Sequence, residues 1–118
     1  MEWEVELIPD DDKLYRRVPY TVVSGGLPMP VYFKDAELSV NWSKYSSPEE
    51  ARSQAIWRPP EDHGVIEMHV ARVRKEASCP VTHDPLEDNR SHSKIEGEKT
   101  TEIRLKLRGI AEWVIDPP

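Results

Sequence analysis

Segments in which apolar and polar residues alternate predict several short β-strands. The alternation has a period of two over residues 2–8 and 38–43, which is typical of a strand with one buried face. Residues 65–73 are rich in valine and isoleucine and predict the longest strand. Shorter β-prone runs lie at residues 21–23 and 31–33. We therefore expect four or five short strands.

The clearest helix start is the serine–proline–glutamate–glutamate sequence at residues 47–50. Ser47 is a favourable N-cap, proline suits the first helical position, and Glu50 stands where a capping box requires an acidic residue. This sequence predicts a short helix that runs to about Ala55 or Ile56, before a pair of prolines.

Residues 100–115 fit two patterns. Apolar residues recur there at spacings of four, three and four, as on one face of a helix, although residues 103–108 also alternate like a strand. We favour a helix, with Thr100 or Thr101 as its N-cap. Gly109 weakens this prediction, because glycine inside a helix costs about 1 kcal/mol relative to alanine.

The order of these elements predicts the fold class. The acidic run at residues 10–12 suits the start of a short helical turn through residues 14–18. Elsewhere the strands and helices do not alternate as βαβ units, so we predict an α+β fold. It consists of a small, mainly antiparallel sheet of four or five short strands, packed layer on layer with two helices. The length of 118 residues predicts a single globular domain over residues 1–118.

The charge balance bears on the kind of partner. The chain has 22 acidic and 16 basic residues and a net charge of −6. This balance disfavours nucleic acid, which is bound mainly by lysine and arginine, and favours a basic protein surface. No apolar run reaches the ~18 residues of a membrane span, and the acidic first residues do not resemble a secretory signal. With Cys79 as the single cysteine, we expect a cytoplasmic protein without a membrane partner.

Most of the chemically versatile side chains lie between residues 79 and 92. Cys79, His83 and His92, with a neighbouring aspartate, are ligands that zinc accepts, but their spacing does not match a structural zinc site. We therefore predict no metal and no cofactor. A lone cysteine is more often a small buried residue than a nucleophile. The simplest interpretation of this segment is connecting chain with hydrogen-bonded turns.

His83 and His92 also support an alternative function. Because histidine changes its charge near neutral pH, the two side chains have the chemistry of a general acid and a general base. Arg90, together with Arg16 or Arg17, offers guanidinium groups that bind phosphate. The alternative is therefore a small enzyme that acts on a phosphodiester or nucleotide substrate. It requires both histidines and an arginine to meet in one cleft.

Trp57 and Arg58 form a separate candidate binding site between the predicted helix and a proline-rich loop. Tryptophan and arginine are enriched at the hot spots of protein interfaces. These two residues favour a small acidic cytosolic protein-interaction module, such as a subunit, regulator or inhibitor of a larger assembly. Its partner is expected to be another protein, with a basic one favoured, or a second copy of this chain. We favour this function over the enzyme because the sequence contains no established catalytic motif.

Overall fold

The computed structural model describes residues 3–118, which contain eight β-strands and three α-helices. The strands are β1 (Lys13–Pro19), β2 (Val23–Ser24), β3 (Leu27–Pro28), β4 (Glu37–Trp42), β5 (His63–His69), β6 (Val81–His83), β7 (His92–Glu96) and β8 (Glu112–Ile115). The α-helices are α1 (Pro48–Ser53), α2 (Val70–Lys75) and α3 (Thr101–Ile110). Short 3-10 turns lie at Tyr20–Val22, Pro30–Phe33 and Pro60–Asp62.

Six of these strands form one sheet in the order β6-β7-β4-β1-β5-β8, and each neighbouring pair is antiparallel. β2 and β3 form a separate hairpin, and the φ angles of Gly25 (63°) and Gly26 (81°) explain why its turn uses glycine. The predicted α+β class with a mainly antiparallel sheet is confirmed. The main sheet has six strands rather than four or five, and residues 3–118 contain three α-helices rather than two.

Residues 3–12, the described part of the N-terminal segment, form no strand. The strand predicted over residues 2–8 is wrong for residues 3–8, and its first residue lies outside the described residues. Val5 and Leu7, which the alternation places on a buried face, are 72% and 95% exposed, whereas Ile8 is 3% exposed. Contacts with side chains, and not strand pairing, hold residues 3–8 to the rest of the fold. The alternation therefore does not correspond to sheet pairing.

β1 occupies the residues for which the acidic run predicts a helical turn. Leu14 and Val18 are fully buried on one face of this strand. Arg16 stands between them and interrupts the apolar alternation that would otherwise indicate a strand. Arg16 also belongs to the candidate functional site.

The strand predicted over residues 65–73 is longer than the observed one. β5 ends at His69 because the first amides of α2 are accepted by carbonyl groups of the acidic run. The amide of Val70 donates to the carbonyl of Asp12 at 3.0 Å, and the next amide donates to the carbonyl of Asp10 at 3.1 Å. A contact with a distant segment therefore converts the end of a β-prone sequence into a helix.

Both predicted helices form with their predicted N-caps. The Ser47 hydroxyl accepts the amide of Glu50 at 3.2 Å, and the Thr100 hydroxyl accepts the amide of Ile103 at 3.2 Å. α3 covers only the first part of residues 100–115, and the rest forms β8, which the pattern does not predict.

Three other segments differ from expectation. Residues 21–23 and 31–33 lie mostly in 3-10 turns rather than in strands of the main sheet. Residues 79–92, interpreted as connecting chain, contribute the edge strand β6 and the first residue of β7. β6 has three residues, which is too short for an alternating pattern to be recognised.

The sheet separates two layers of unequal size. On one face, α2, α3 and the turn at Pro30–Phe33 cover the main core, which includes the fully buried Leu14 and Trp42. On the other face, α1 packs against β1 and β5, where Ala51 and Val65 are buried. Beside α1, polar side chains of β1, β4 and β7 line an open cleft.

Candidate functional site

The cleft lies between the end of α1 and the loop that joins β6 to β7. Its volume is about 380 Å³, which falls within the ~300–1,000 Å³ range typical of small-molecule sites. Most of its lining residues carry polar side chains. The lining residues are Tyr15, Arg16, Arg17, Tyr32, Ser39, Val40, Asn41, Gln54, Ile56, Leu86, Asp88, Asn89 and His92.

The cleft lies where the two central strands stop pairing. β1 pairs with β5 along its whole length, but its pairing with β4 ends at Tyr15 opposite Asn41. Beyond this point the Arg16 guanidinium replaces backbone pairing. Its Nη1 donates to the carbonyl of Ser39 at 2.7 Å and its Nη2 donates to that of Tyr32 at 3.2 Å. The guanidinium also lies 4.3 Å from the centre of the Tyr32 ring.

Arg16 and Arg17 carry positive charge into the cleft without a carboxylate partner. The ion pairs within residues 3–118 all involve other cations. Burial lowers the pKa of Arg16, although an arginine stays protonated at neutral pH. Arg17 makes one long hydrogen bond, from Nη1 to the carbonyl of Ala51 at 3.5 Å. Two adjacent cations thus contact carbonyl groups and an aromatic ring, and the Asp35 carboxylate favours the charged form of Arg16 without forming an ion pair with it.

His92 faces the cleft from β7, directly opposite Asn41 of β4. Its Nδ1 donates to the carbonyl of Asp84 at 2.8 Å and lies 3.2 Å from the carboxylate of the same residue. Because Nδ1 carries the proton in this arrangement, Nε2 of a neutral ring accepts the Ser39 hydroxyl at 3.2 Å. His92 is therefore oriented by both of its nitrogens.

Three amide side chains form one wall of the cleft. The Asn41 amide donates to Gln54 Oε1 at 2.9 Å, and the Asn89 amide donates to Asn41 Oδ1 at 3.0 Å. Asn89 Oδ1 in turn accepts the amide and the hydroxyl of Ser91. These bonds occupy the amide oxygens, while the nitrogen of Gln54 has no hydrogen-bond partner in the described part of the chain. The wall therefore offers a donor to the cleft.

His83 lies on the opposite face of the sheet. It pairs with Ser93, and because successive residues of a strand point to opposite faces, His92 points the other way. His83 is 4% exposed. Its Nδ1 accepts the amide of Glu6 at 3.0 Å and its Nε2 donates to the carbonyl of Arg90 at 2.7 Å. Both ring nitrogens are thus occupied, so His83 is a neutral structural histidine in this arrangement.

Arg90 also lies away from the cleft. Its guanidinium stacks between the rings of Trp3, at 4.7 Å, and Tyr45, at 4.0 Å, and lies 3.8 Å from Glu6. This stacking accounts for its buried Nε, which has no hydrogen-bond partner within residues 3–118. Hydrogen bonds from Lys44 and Tyr45 lower the pKa of Glu6. We call Glu6, Tyr45, His83 and Arg90 the anchor cluster, because they hold the N-terminal segment to the domain.

The two-histidine site predicted from the sequence is therefore not assembled. Of the residues proposed for it, Arg17 and His92 share the cleft, as does Arg16, whereas His83 and Arg90 belong to the anchor cluster. The roles of Asn41 and Gln54 were not predicted from the sequence. Asn41 is polar at an outward position of an alternating strand, which is a weak signal, and Gln54 has no local signal.

Cys79 is not placed for nucleophilic or metal chemistry. Its side chain is buried, with Sγ 3.4 Å from the carbonyl of Ala77. Burial raises the pKa of the Cys79 thiol, which disfavours the reactive thiolate. Across residues 3–118 the structure contains no group of three or more histidine, cysteine, aspartate or glutamate residues that could hold a metal ion.

Trp57 and Arg58 lie just outside the cleft. Trp57 is 92% exposed and the adjacent Ile56, which lines the cleft, is 76% exposed. Arg58 lies over the ring of Tyr20 at 5.4 Å and 3.5 Å from the carboxylate of Asp62. We call residues 56–58 the exposed tip.

Comparisons with protein-family models, with curated proteins and with solved structures found no match for this chain. The site is therefore interpreted from its own chemistry. Among the helices of residues 3–118, none has the length and apolar character needed to cross a membrane.

Proposed function

We propose that this protein is a protein-interaction module that contacts a basic partner through the exposed tip. The observation that carries this proposal is the exposure of Trp57 beside Ile56. Burying a large apolar side chain contributes about 1.5–3 kcal/mol, so a partner that covers the tip gains substantial free energy. The cytoplasmic location expected from the sequence stays a prediction.

The charges around the exposed tip support a basic partner. Glu49 and Glu50 lie in the first turn of α1, and Glu61 and Asp62 lie in the 3-10 turn that follows the tip. Of these side chains, only Asp62 pairs with a cation within the described residues. These carboxylates flank the exposed tip in the chain, and a partner with an apolar pocket bordered by lysine or arginine would complement both the tip and the carboxylates.

Photo-crosslinking tests this proposal. A benzophenone amino acid replaces Trp57 in one variant and Leu7, which is 95% exposed, in a matched control, and both are irradiated in the native host. We expect one protein to crosslink at position 57 and not at position 7, and to be identified by mass spectrometry. A crosslink between two copies would identify self-association as the interaction.

The identified protein is then purified and its affinity for this chain is measured by titration calorimetry. Trp57→Ala should weaken binding about tenfold or more, as at interface hot spots. High salt should also lower the affinity if the carboxylates that flank the exposed tip contribute to binding. The same products from both crosslinking positions, or an affinity that Trp57→Ala does not change, would contradict the proposal.

The enzyme alternative has less support. A mechanism that uses two histidines needs both in one cleft, but within residues 3–118 His92 is the only histidine that lines this one. The arginines in the cleft stay protonated at neutral pH, so they are suited to binding an anion and not to transferring a proton.

A further inference from the structure

We propose that the cleft binds a small organic anion, with its carboxylate or phosphate group against Arg17 and Gln54 and its apolar part between Ile56 and Leu86. Ile56 belongs to both the cleft and the exposed tip, whereas Trp57, whose exposure carries the proposed function, does not line the cleft. Trp57→Ala and Arg17→Gln therefore test the two proposals separately.

The charge of the cleft favours an anion. The chain has six more acidic than basic residues, yet Arg16 and Arg17 have no carboxylate partner in residues 3–118. Buried charges are normally paired, because a cation removed from water without a counter-ion is costly. Asp88 is the one carboxylate among the lining residues, so the two arginines leave the cleft positive. A bound anion would supply the missing partner.

The cleft also has more free hydrogen-bond donors than free acceptors. The oxygens of Asn41 and Gln54 accept bonds within the amide wall, whereas the nitrogen of Gln54 is free among the described residues. Arg17 makes only one long bond and keeps most of its donors. Burial raises the pKa of Tyr15, so its hydroxyl also remains a donor at neutral pH. Free donors that converge on one space favour an acceptor-rich ligand.

Apolar side chains form a rim on the cleft. Ile56 is 76% exposed and Leu86 is 43% exposed, and both line the cleft. They come from different segments, the stretch after α1 and the loop between β6 and β7. An inorganic ion would leave this rim uncovered. A ligand that joins the anionic group to a ring or a short hydrocarbon covers both parts of the cleft.

Titration of the full-length ¹⁵N-labelled protein with model ligands tests the proposal. Phenyl phosphate and benzoate carry the two candidate anionic groups, and benzyl alcohol supplies a ring without charge. We expect saturable shifts of the Gln54 side-chain amide and of the Asn89 and His92 backbone amides with at least one anion, and none with benzyl alcohol. The stronger of the two anions then indicates whether the natural ligand carries phosphate or carboxylate.

Two charge-matched variants test the role of Arg17. Arg17→Gln should weaken binding of the anion about tenfold or more, as expected when one charge-assisted contact is lost. Arg72→Gln removes the same charge from α2, which covers the opposite face of the sheet, and should leave the affinity within about twofold because exposed charges at this distance are screened. Ile56→Ser should weaken binding of phenyl phosphate more than that of inorganic phosphate.

Three results would overturn the proposal. The first is the absence of saturable shifts at millimolar anion. The second is equal weakening by Arg17→Gln and Arg72→Gln, since this indicates unspecific attraction. The third is a set of shifts that cluster away from the cleft. The spectra of both variants also show whether they remain folded.

Discussion

The anchor cluster and the cleft use the same kinds of side chains on opposite faces of one sheet, but only the anchor cluster has its charges paired. In the anchor cluster, Arg90 lies beside Glu6, and both nitrogens of His83 are hydrogen-bonded. In the cleft, Arg16 and Arg17 have only carbonyl and aromatic partners within residues 3–118. The first arrangement stabilises the fold, and the second leaves interactions for a ligand.

The difference shows why closeness in sequence is a poor guide to a shared site. His83 and His92 lie on adjacent strands, yet the pairing of His83 with Ser93 places them on opposite faces. The loop between them divides in the same way, since Arg90 belongs to the anchor cluster and Asn89 to the cleft. Histidine and arginine residues that are close in sequence can thus lie on opposite faces of a sheet, because successive residues of a strand point to opposite sides.

The largest effect is expected from His83→Ala. It removes a buried ring and leaves the amide of Glu6 and the carbonyl of Arg90 without a partner, which should lower the free energy of unfolding by about 2–4 kcal/mol. Urea denaturation measures this. The matched change His92→Ala should cost about 1 kcal/mol, because its two hydrogen bonds, to the Asp84 carbonyl and the Ser39 hydroxyl, lie at a more exposed site where water can replace the ring. Equal losses in the two variants would contradict the contrast between the two regions.

Arg16→Met should have the next largest effect. The carbonyls of Ser39 and Tyr32 lose their donors, which costs about 1–3 kcal/mol when the groups are not resolvated. Removal of a buried cation without a counter-ion offsets part of this loss, so we expect a smaller effect than for His83→Ala. Urea denaturation again gives the value. A gain in stability would show that the unpaired charge outweighs the two hydrogen bonds.

Local signals predicted the elements that depend on local contacts. The start of α1 is correct because Ser47 caps the amide of Glu50 three residues away, and both residues are visible in the sequence. α2 could not be predicted in the same way, because its first amide depends on the carbonyl of Asp12 from a distant segment. β8 was hidden because Val114 continues the helical spacing of the preceding residues.

The cleft was only partly predictable for a related reason. Arg17 and His92 were proposed as site residues from their chemistry, and their meeting depends on the strand order of the sheet. Asn41, Gln54 and Asn89 come from three separate segments and carry no shared sequence signal. Arg16 acts at the point where β1 and β4 stop pairing, which is a tertiary feature. The sequence showed which residues have suitable side chains, but it did not show which of them lie together in the fold.

The anchor cluster should also make stability depend on pH. Hydrogen bonds from Lys44 and Tyr45 lower the pKa of Glu6 below its ordinary value of 4.5 in the folded state. The stabilisation is therefore complete above that value and is lost as the pH falls through the lowered pKa of the folded protein. Glu6→Gln should be less stable than the wild type at pH 7, and the two should converge in acid. Thermal unfolding from pH 7 to pH 3 measures the difference, and a constant difference would contradict this assignment.

The smallest effect on stability is expected from Arg17→Gln, and it separates the two regions most clearly. Arg17 makes one long hydrogen bond. Burial is the main cause of the lowered pKa of Arg16, and the charge of Arg17 adds to it, so Arg17 disfavours the neighbouring cation. Its removal should therefore change the free energy of unfolding by no more than about 0.5 kcal/mol, with a slight gain permitted. Denaturation in low salt gives the value. A loss of more than about 1 kcal/mol in the free energy of unfolding would mean that Arg17 stabilises the fold. Unchanged stability together with weakened anion binding would mean that its charge binds the ligand.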